Sequence, residues 1–134
     1  MPDRRPMTRS EVMARVRSKD TAPEMAVRRA VHAAGFRFRL HRKSLPGSPD
    51  LVFVSWTIAV FVNGCFWHGH SCKDGARPSS NTEYWDRKIR RNVARDKLNY
   101  QALRRMGWKP IVIWTCRLNP GLRRLLAELR ERSR

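Results

Sequence analysis

The densest chemistry in the sequence is Cys65-Phe66-Trp67-His68-Gly69-His70-Ser71-Cys72, which brings two thiols and two imidazoles into one short stretch. Zinc holds four such soft or borderline donors in a tetrahedron, and three cysteines with one histidine is a common closed set. Cys116, at the end of a later apolar run, is the third cysteine of the chain. Cys65, His70, Cys72 and Cys116 together would form a structural zinc site that ties an irregular loop to a sheet edge. The plainer alternative treats Cys65 and Cys116 as small buried hydrophobes. Using every cysteine plus a loop histidine favours the metal. His68 is left over, either as a ligand in place of His70 or as a catalytic base, and spacing does not decide between them.

The carboxylates form the second candidate centre. Asp50 follows the turn Leu45-Pro46-Gly47-Ser48-Pro49 and opens the apolar run Leu51-Val52-Phe53-Val54. A strand-end carboxylate is a common seat for Mg²⁺ beside a phosphate, because magnesium takes one or two carboxylates and keeps several waters. The competing reading is an ordinary hydrogen-bonded turn aspartate. Glu24 and Asp96 are candidates to join Asp50. Glu24 also reads as the capping-box partner of Thr21, and Asp96 as half of a surface ion pair. With 11 acids against 29 lysines and arginines, each acid near a polyanion needs a reason.

These groups must be positioned by helices and strands. Thr8-x-x-Glu11 is a capping box that predicts a basic helix to about Arg17, after a loose start. Thr21-x-x-Glu24 predicts a second helix with Met25, Val27, Ala30, Val31 and Ala34 on its apolar face and Gly35 as its stop. Phe36, Phe38 and Leu40 alternate with Arg37, Arg39 and His41, the period of a strand with one wet, basic face. Asp50–Val54 and Thr57–Val62 read as strands, the second buried on both faces. Residues 64–81 have turn residues and no period. Thr82 caps a predicted helix to Met106, closed by Gly107; Trp108–Trp114 reads as a strand and Leu122–Arg132 as an amphipathic helix. Such an order predicts an α/β domain with a mixed sheet flanked by helices, one domain over residues 1–134 with residues 1–7 loose.

The 134 residues carry a formal net charge of +18 and are 41% apolar. That apolar share belongs to a globular chain, not a disordered one. A fold does not require the charge excess; it points to a polyanionic partner, here nucleic acid. No run approaches the roughly 20 apolar residues of a membrane span, and no signal core follows the first residues, so a cytoplasmic monomer is expected. Phe66 and Trp67, consecutive in a loop, suit a wedge that unstacks base pairs where a mismatch makes this cheap. Tyr84 and Trp85 open the long helix and offer a stacking surface, with Tyr84 expected to pack inward. Trp56, Trp108 and Trp114 are assigned to the core. Arg87, Lys88, Arg90, Arg91 and Arg95 would bind phosphates without reading sequence.

With these blocks in place the chain resembles the very short patch repair (Vsr) DNA mismatch endonucleases. The resemblance rests on Met7-Thr8-Arg9-Ser10, Asp20-Thr21-Ala22-Pro23-Glu24, Leu45 to Asp50, Asn63-Gly64-Cys65-Phe66-Trp67-His68-Gly69-His70, Lys88-Ile89 with Asn92 and Arg95-Asp96, and Gly107-Trp108 followed by Val112 to Cys116. It implies a restriction-endonuclease-like (PD-(D/E)xK-type) mixed sheet flanked by helices, with a structural Zn²⁺ site. It also implies Mg²⁺-dependent nicking of double-stranded DNA 5′ to the thymine of a T·G mismatch, with mismatch-repair proteins as possible helpers. Carried over by position, Asp50 corresponds to the magnesium-binding aspartate, His68 to the histidine that activates water, Asp96 to its acidic partner and Glu24 to the acidic residue nearby. Cys65, His70, Cys72 and Cys116 match the zinc ligands, Phe66 and Trp67 the intercalating wedge, and Trp85 an aromatic near the mismatch. Val62-Asn63 stands where relatives carry Thr-His. A backbone carbonyl at Val62 would still serve a metal, whereas Asn63 is neither acid nor base and is left with hydrogen bonding to phosphate. The alternatives are a related nicking nuclease with another target and a non-catalytic zinc DNA-binding module.

Overall fold

The computed structural model describes residues 6, 8–10 and 20–134. Four strands, β1 (Arg39–Leu40), β2 (Leu51–Phe53), β3 (Ile58–Asn63) and β4 (Lys109–Trp114), form one sheet in the order β1-β2-β3-β4. β1 and β2 pair antiparallel, as do β2 and β3. β3 and β4 run parallel, Ile58 opposite Lys109 and Asn63 opposite Trp114. Parallel neighbours need a crossover, and the long helix α2 (Thr82–Arg105) supplies it. Helices α1 (Ala22–Ala33) and α3 (Leu118–Arg132) pack beside the sheet, and short 3-10 turns lie at Val54–Trp56, Lys73–Gly75 and Thr115–Arg117.

Period-two alternation in β3 assigns its side chains to two cores. Ile58 and Val60 join Leu51, Phe53, Ile111 and Ile113 under Val27 and Val31 of α1 and Leu125 and Leu129 of α3. Ala59 and Phe61 face the other way, with Leu45, Val52 and Leu103 of α2. The sheet is thus sandwiched between α1 and α3 on one face and α2 on the other. Each fully buried aliphatic side chain contributes about 1.5–3 kcal/mol relative to exposure, so the central strands are the rigid part of the molecule. The next residue on the α2 face after Phe61 is Asn63, and alternation thereby delivers a polar side chain toward α2.

The turn before β2 is fixed by glycine. Gly47 has φ +81°, and a Cβ there would lie 3.0 Å from Phe61 Cε1 and 3.2 Å from Asn99 Cβ. Both the backbone hand and the packing exclude a side chain. The Asp50 N–H then donates to the Val60 carbonyl at 2.9 Å, which locks Asp50 to the sheet.

Several elements differ from the sequence reading. The strand expected over Phe36–His41 contracts to Arg39–Leu40, with both residues exposed. Phe36 and Phe38 pack on the core beside it without pairing. His41, at φ +45°, still donates its N–H to the Asp50 carbonyl at 3.3 Å, but its ring meets Glu24 at 3.0 Å instead of lying on a wet face. Val54 belongs to a 3-10 turn and is exposed. Thr82 is not the cap of α2: Asn81, at φ 53°, precedes the helix without a side-chain cap, and the Thr82 hydroxyl donates to Ser79 O at 3.3 Å. α3 begins at Leu118, ahead of the expected Leu122, because Pro120 is tolerated in a first helical turn. The helix expected from Thr8 to Arg17 and the loose start lie largely outside the described residues; Arg9 and Ser10 are helical. Among the described residues, no helix is long and apolar enough to cross a membrane.

Candidate active site and metal centre

Asp50 sits at the mouth of β2 with its carboxylate mostly buried. The Val62 N–H donates to Asp50 Oδ2 at 2.7 Å, leaving Oδ1 as the outward oxygen. Burial raises the carboxyl, the Val62 hydrogen bond opposes this, and the nearby Glu24 charge adds to the rise, so that Asp50 lies at about 6. The charges of His41 and His68 act on it in the opposite sense. A carboxylate so short of stabilising partners is a good seat for a cation.

His68 and Asp96 face each other from the metal-rich loop and from α2. His68 Nδ1 lies 2.5 Å from Asp96 Oδ2, with the two side chains 28% and 21% exposed. A carboxylate only accepts, so Nδ1 carries the proton and Nε2 is the nitrogen turned to chemistry. Beside this pair, Asn63 Nδ2 donates to the Tyr100 hydroxyl at 2.9 Å. Burial pushes the Tyr100 phenol up to about 12; Asn63 opposes the rise, and the charges of Asp96 and Asp50 add to it. Asp50, His68, Asp96, Asn63 and Tyr100 are therefore one electrostatic neighbourhood, at the end of β3 against the middle of α2.

Glu24 belongs to it too, and not as a capping residue. The Thr21 hydroxyl accepts from the Glu24 N–H at 3.4 Å, so half of the capping box forms. The Glu24 side chain, almost fully buried, instead meets Arg28 Nη2 at 2.5 Å and His41 Nε2 at 3.0 Å. His41 Nδ1 in turn lies 3.9 Å from Asp50 Oδ1. Arg28, His41 and Tyr100 went unassigned in the sequence reading. Arg28 is four residues after Glu24 and Tyr100 four after Asp96, so both share a helix face with a candidate acid; that spacing was the available signal. His41 carried none, because its approach depends on the backbone turn after β1.

The expected zinc ligands converge. One ligand atom each from Cys65, His70, Cys72 and Cys116 all lie within 4.8 Å of one another. Cys116 Sγ is 3.5 Å from His70 Nδ1. Tetrahedral zinc with bonds of about 2.3 Å to sulfur needs donors roughly 3.8 Å apart, so the set fits with small movements. Trp114, assigned to the core from sequence, instead stacks on the His70 ring at 4.2 Å between centroids and meets His68 edge-on at 6.4 Å. His68 is not part of the cluster, which resolves the open choice: His70 is the cluster's imidazole and His68 is free for the Asp50 side.

The aromatic pairs correct two expectations. Tyr84 points outward, 55% exposed, while Trp85 is the buried member at 2%. The Trp85 indole N–H donates to the Ser10 hydroxyl at 2.7 Å, so its ring is packed away from any base. Phe66 is also buried, at 3%, beneath the guanidinium of Arg9 at 5.3 Å. Phe66, Trp67 and Trp85 contact one another edge-to-face at 5.2–5.5 Å. Trp67 is the half-exposed member; its carbonyl accepts from Asn92 Nδ2 at 3.1 Å and its ring carries Lys88 Nζ at 5.6 Å. Arg87, Lys88, Arg91 and Arg95 are all exposed along α2, as phosphate contacts require.

Lys88 and Asn92 of α2 meet Trp67, and Asp96 one turn further on meets His68, so the basic helix, the aromatic loop and the carboxylate–histidine pair are brought together. Comparison with known proteins gives this arrangement a family. The family model described as DNA mismatch endonuclease Vsr matches residues 3–74. A type II nicking enzyme, V.XorIIP of Xanthomonas oryzae pv. oryzae, is 52% identical over 85% of this chain and 84% of its own length. V.NmeAIP of Neisseria meningitidis serogroup A, also a type II nicking enzyme, is 42% identical over 92% of both chains. DNA mismatch endonuclease Vsr of Escherichia coli is 38% identical over 83% of this chain and 71% of its own.

Proposed function

The chain belongs to the Vsr family of DNA mismatch endonucleases, and from that premise we propose that it nicks duplex DNA 5′ to the thymine of a T·G mismatch. That it is a DNA endonuclease follows from the family, and a non-catalytic zinc module is thereby set aside. The mismatch, the cations and the residue roles are the proposal. The observation that carries it is the convergence of Asp50, His68–Asp96 and Asn63–Tyr100 at one end of β3, beside a loop that presents Trp67. The sheet flanked by helices fits the restriction-endonuclease-like architecture that the family implies.

Asp50 Oδ1 and the Val62 carbonyl would hold Mg²⁺. The buried, under-stabilised carboxylate and its oxygen-only donor set suit that ion. Bound there, the cation would neutralise charge on the phosphoryl group and the leaving oxygen. His68 Nε2 takes the proton of the attacking water, while Asp96 fixes the tautomer and stabilises the imidazolium that forms. Asn63, whose amide donates to the Tyr100 hydroxyl, would offer its second N–H to a phosphate oxygen. Glu24 supplies negative charge behind Asp50. Zn²⁺ on Cys65, His70, Cys72 and Cys116 would anchor the loop, so that Trp67 enters the stack at the mismatch with Phe66 packed against it as support. The arginines and lysine of α2, Arg87, Lys88, Arg91 and Arg95, hold the backbone in register.

The names of the relatives favour a second reading, a nicking enzyme with another target, and Val62-Asn63 is compatible with it. Mapping of nicks on duplexes bearing each mismatch, with and without Mg²⁺, tests both. The proposal expects one nick, 5′ to thymine in T·G and dependent on the ion. Equal cleavage of matched duplex would sink it in favour of the second reading.

A further inference from the structure

Asp20, Glu24 and His41 bring three donor atoms within 4.8 Å of one another beside Asp50, a grouping able to hold a metal ion of its own. The space between them is already filled. Arg28 Nη2 lies 2.7 Å from Asp20 Oδ1, 2.5 Å from Glu24 Oε1 and 2.9 Å from His41 Nε2. One guanidinium nitrogen therefore touches all three donors. The remainder of the group is poorly served: among the described residues Nη1 reaches only the weak acceptor Met25 Sδ, at 3.1 Å, and the buried Nε has no hydrogen-bond partner. Folding alone rarely keeps a buried donor unsatisfied, and such departures from good packing concentrate at functional sites. The side chain is 12% exposed and reaches the cluster from α1, so the charge is delivered by the scaffold.

We propose that Arg28 is a positioning residue that serves as the permanent second cation of the nicking centre. It occupies the place where Asp20, Glu24 and His41 would otherwise converge on a divalent ion. Two consequences follow. Glu24 and His41 are held in fixed positions behind Asp50, so the outward carboxylate oxygen stays aimed at the substrate side. Asp20, Glu24 and His41 also recruit no soluble cation of their own, because that seat is taken. Arginine suits this role because it stays protonated at every working pH and offers several donors in a fixed plane. This inference rests on the reading of the site as a metal-dependent nicking centre.

The test counts bound Mn²⁺ by EPR on zinc-loaded enzyme and measures single-turnover nicking of a T·G duplex. Arg28→Met keeps the length and apolar stem while removing the charge. It should bind one Mn²⁺ more than the native enzyme, and the double variant Asp20→Asn/Arg28→Met should lose that extra ion. Its nicking rate should fall about 10–100-fold, the usual loss on removing a partner that orients ligands. Arg28→Lys restores a cation at the same place; it should bind the native number of ions and recover most of the rate. Native Mn²⁺ stoichiometry in a folded Arg28→Met enzyme overturns the proposal. If Arg28→Met does not fold, Arg28→Lys decides: a native melting temperature with a rate as low as that of Asp50→Asn overturns it equally. Asp50→Asn separates the two readings. It should lose one ion whatever stands at position 28, and if it loses none the Asp50 metal assignment fails on its own.

Discussion

Asp96→Asn isolates what the carboxylate beside His68 contributes. The substitution keeps the size of the side chain and removes its charge, while its amide can also donate to Nδ1 and so favour the wrong tautomer. The charge effect can be worked from the contact of 2.5 Å between His68 Nδ1 and Asp96 Oδ2. Charge centres about 4 Å apart attract by roughly 4 kcal/mol at an effective dielectric near 20. The two side chains are 28% and 21% exposed, and solvent screening reduces that figure to about half. Loss of roughly 2 kcal/mol from the transition state lowers the rate about 30-fold. A tautomer error adds to this and in a fully buried triad reaches about 10⁴, so the expected loss lies between those values. Single-turnover nicking of a mismatched duplex reads the chemical step, and fluorescence anisotropy on the same duplex reads binding, which should not change. His68→Ala combined with Asp96→Asn should be no slower than His68→Ala alone, because the acid acts through the imidazole. A native rate in Asp96→Asn, or multiplicative losses in the double variant, would refute the paired mechanism.

Other expectations follow from the same geometry. Cys116→Ser removes the exposed member of the thiol cluster; metal analysis should fall from about one zinc per chain to none, with stability down by several kcal/mol and the melting temperature lower by roughly 10 °C or more. Trp67→Ala should weaken mismatch binding by about 1–3 kcal/mol in competition titrations. Trp85→Phe, which loses the donor to Ser10, should cost about 1 kcal/mol of stability on chemical denaturation and leave mismatch discrimination intact. Burial raises the Asp50 carboxyl from 3.8 to about 6. The folded apo-protein therefore binds this proton more tightly than the unfolded chain, and the stabilisation it contributes is complete below 3.8 and lost as pH rises through about 6. A cation at Asp50 competes with that proton, so the Mg²⁺-induced rise in melting temperature should grow from about pH 5 to about pH 7; a shift equal at both would remove Asp50 from the metal site.

The fold was legible where local pattern and burial agreed. β3 is apolar from Ile58 to Val62 because helices cover both faces of the sheet, and such a run reads as a buried strand from composition alone. α1 announces itself by Thr21, Val27, Val31 and Gly35, and each does what its type predicts. The reading failed where tertiary contact overrides pattern. Phe36 and Phe38 alternate like strand residues, yet they pack edge-on against Trp56 and Phe53 without a ladder. Tyr84 and Trp85 are adjacent, and helical geometry sends one of any such pair outward. Trp85 goes inward against Phe66 and Ile89, and its N–H meets the hydroxyl of Ser10, far away in sequence.

The candidate site divides along the same line. Donor type and spacing were enough to choose Cys65, His70, Cys72 and Cys116, because zinc chemistry tolerates few alternatives and the chain holds three cysteines. Carboxylates are less specific, since each of Glu24, Asp50 and Asp96 has an ordinary structural role available. What separates the roles is the neighbour each acid meets. Glu24 meets a guanidinium that satisfies it, Asp96 an imidazole it can orient, and Asp50 one backbone N–H and little else. An acid already neutralised by a fixed cation has no need of a soluble one, and an acid left buried with a single donor does. The sequence holds all three carboxylates in equal view, but only packing around α1 and the ends of β2 and β3 makes Asp50 the one short of positive charge.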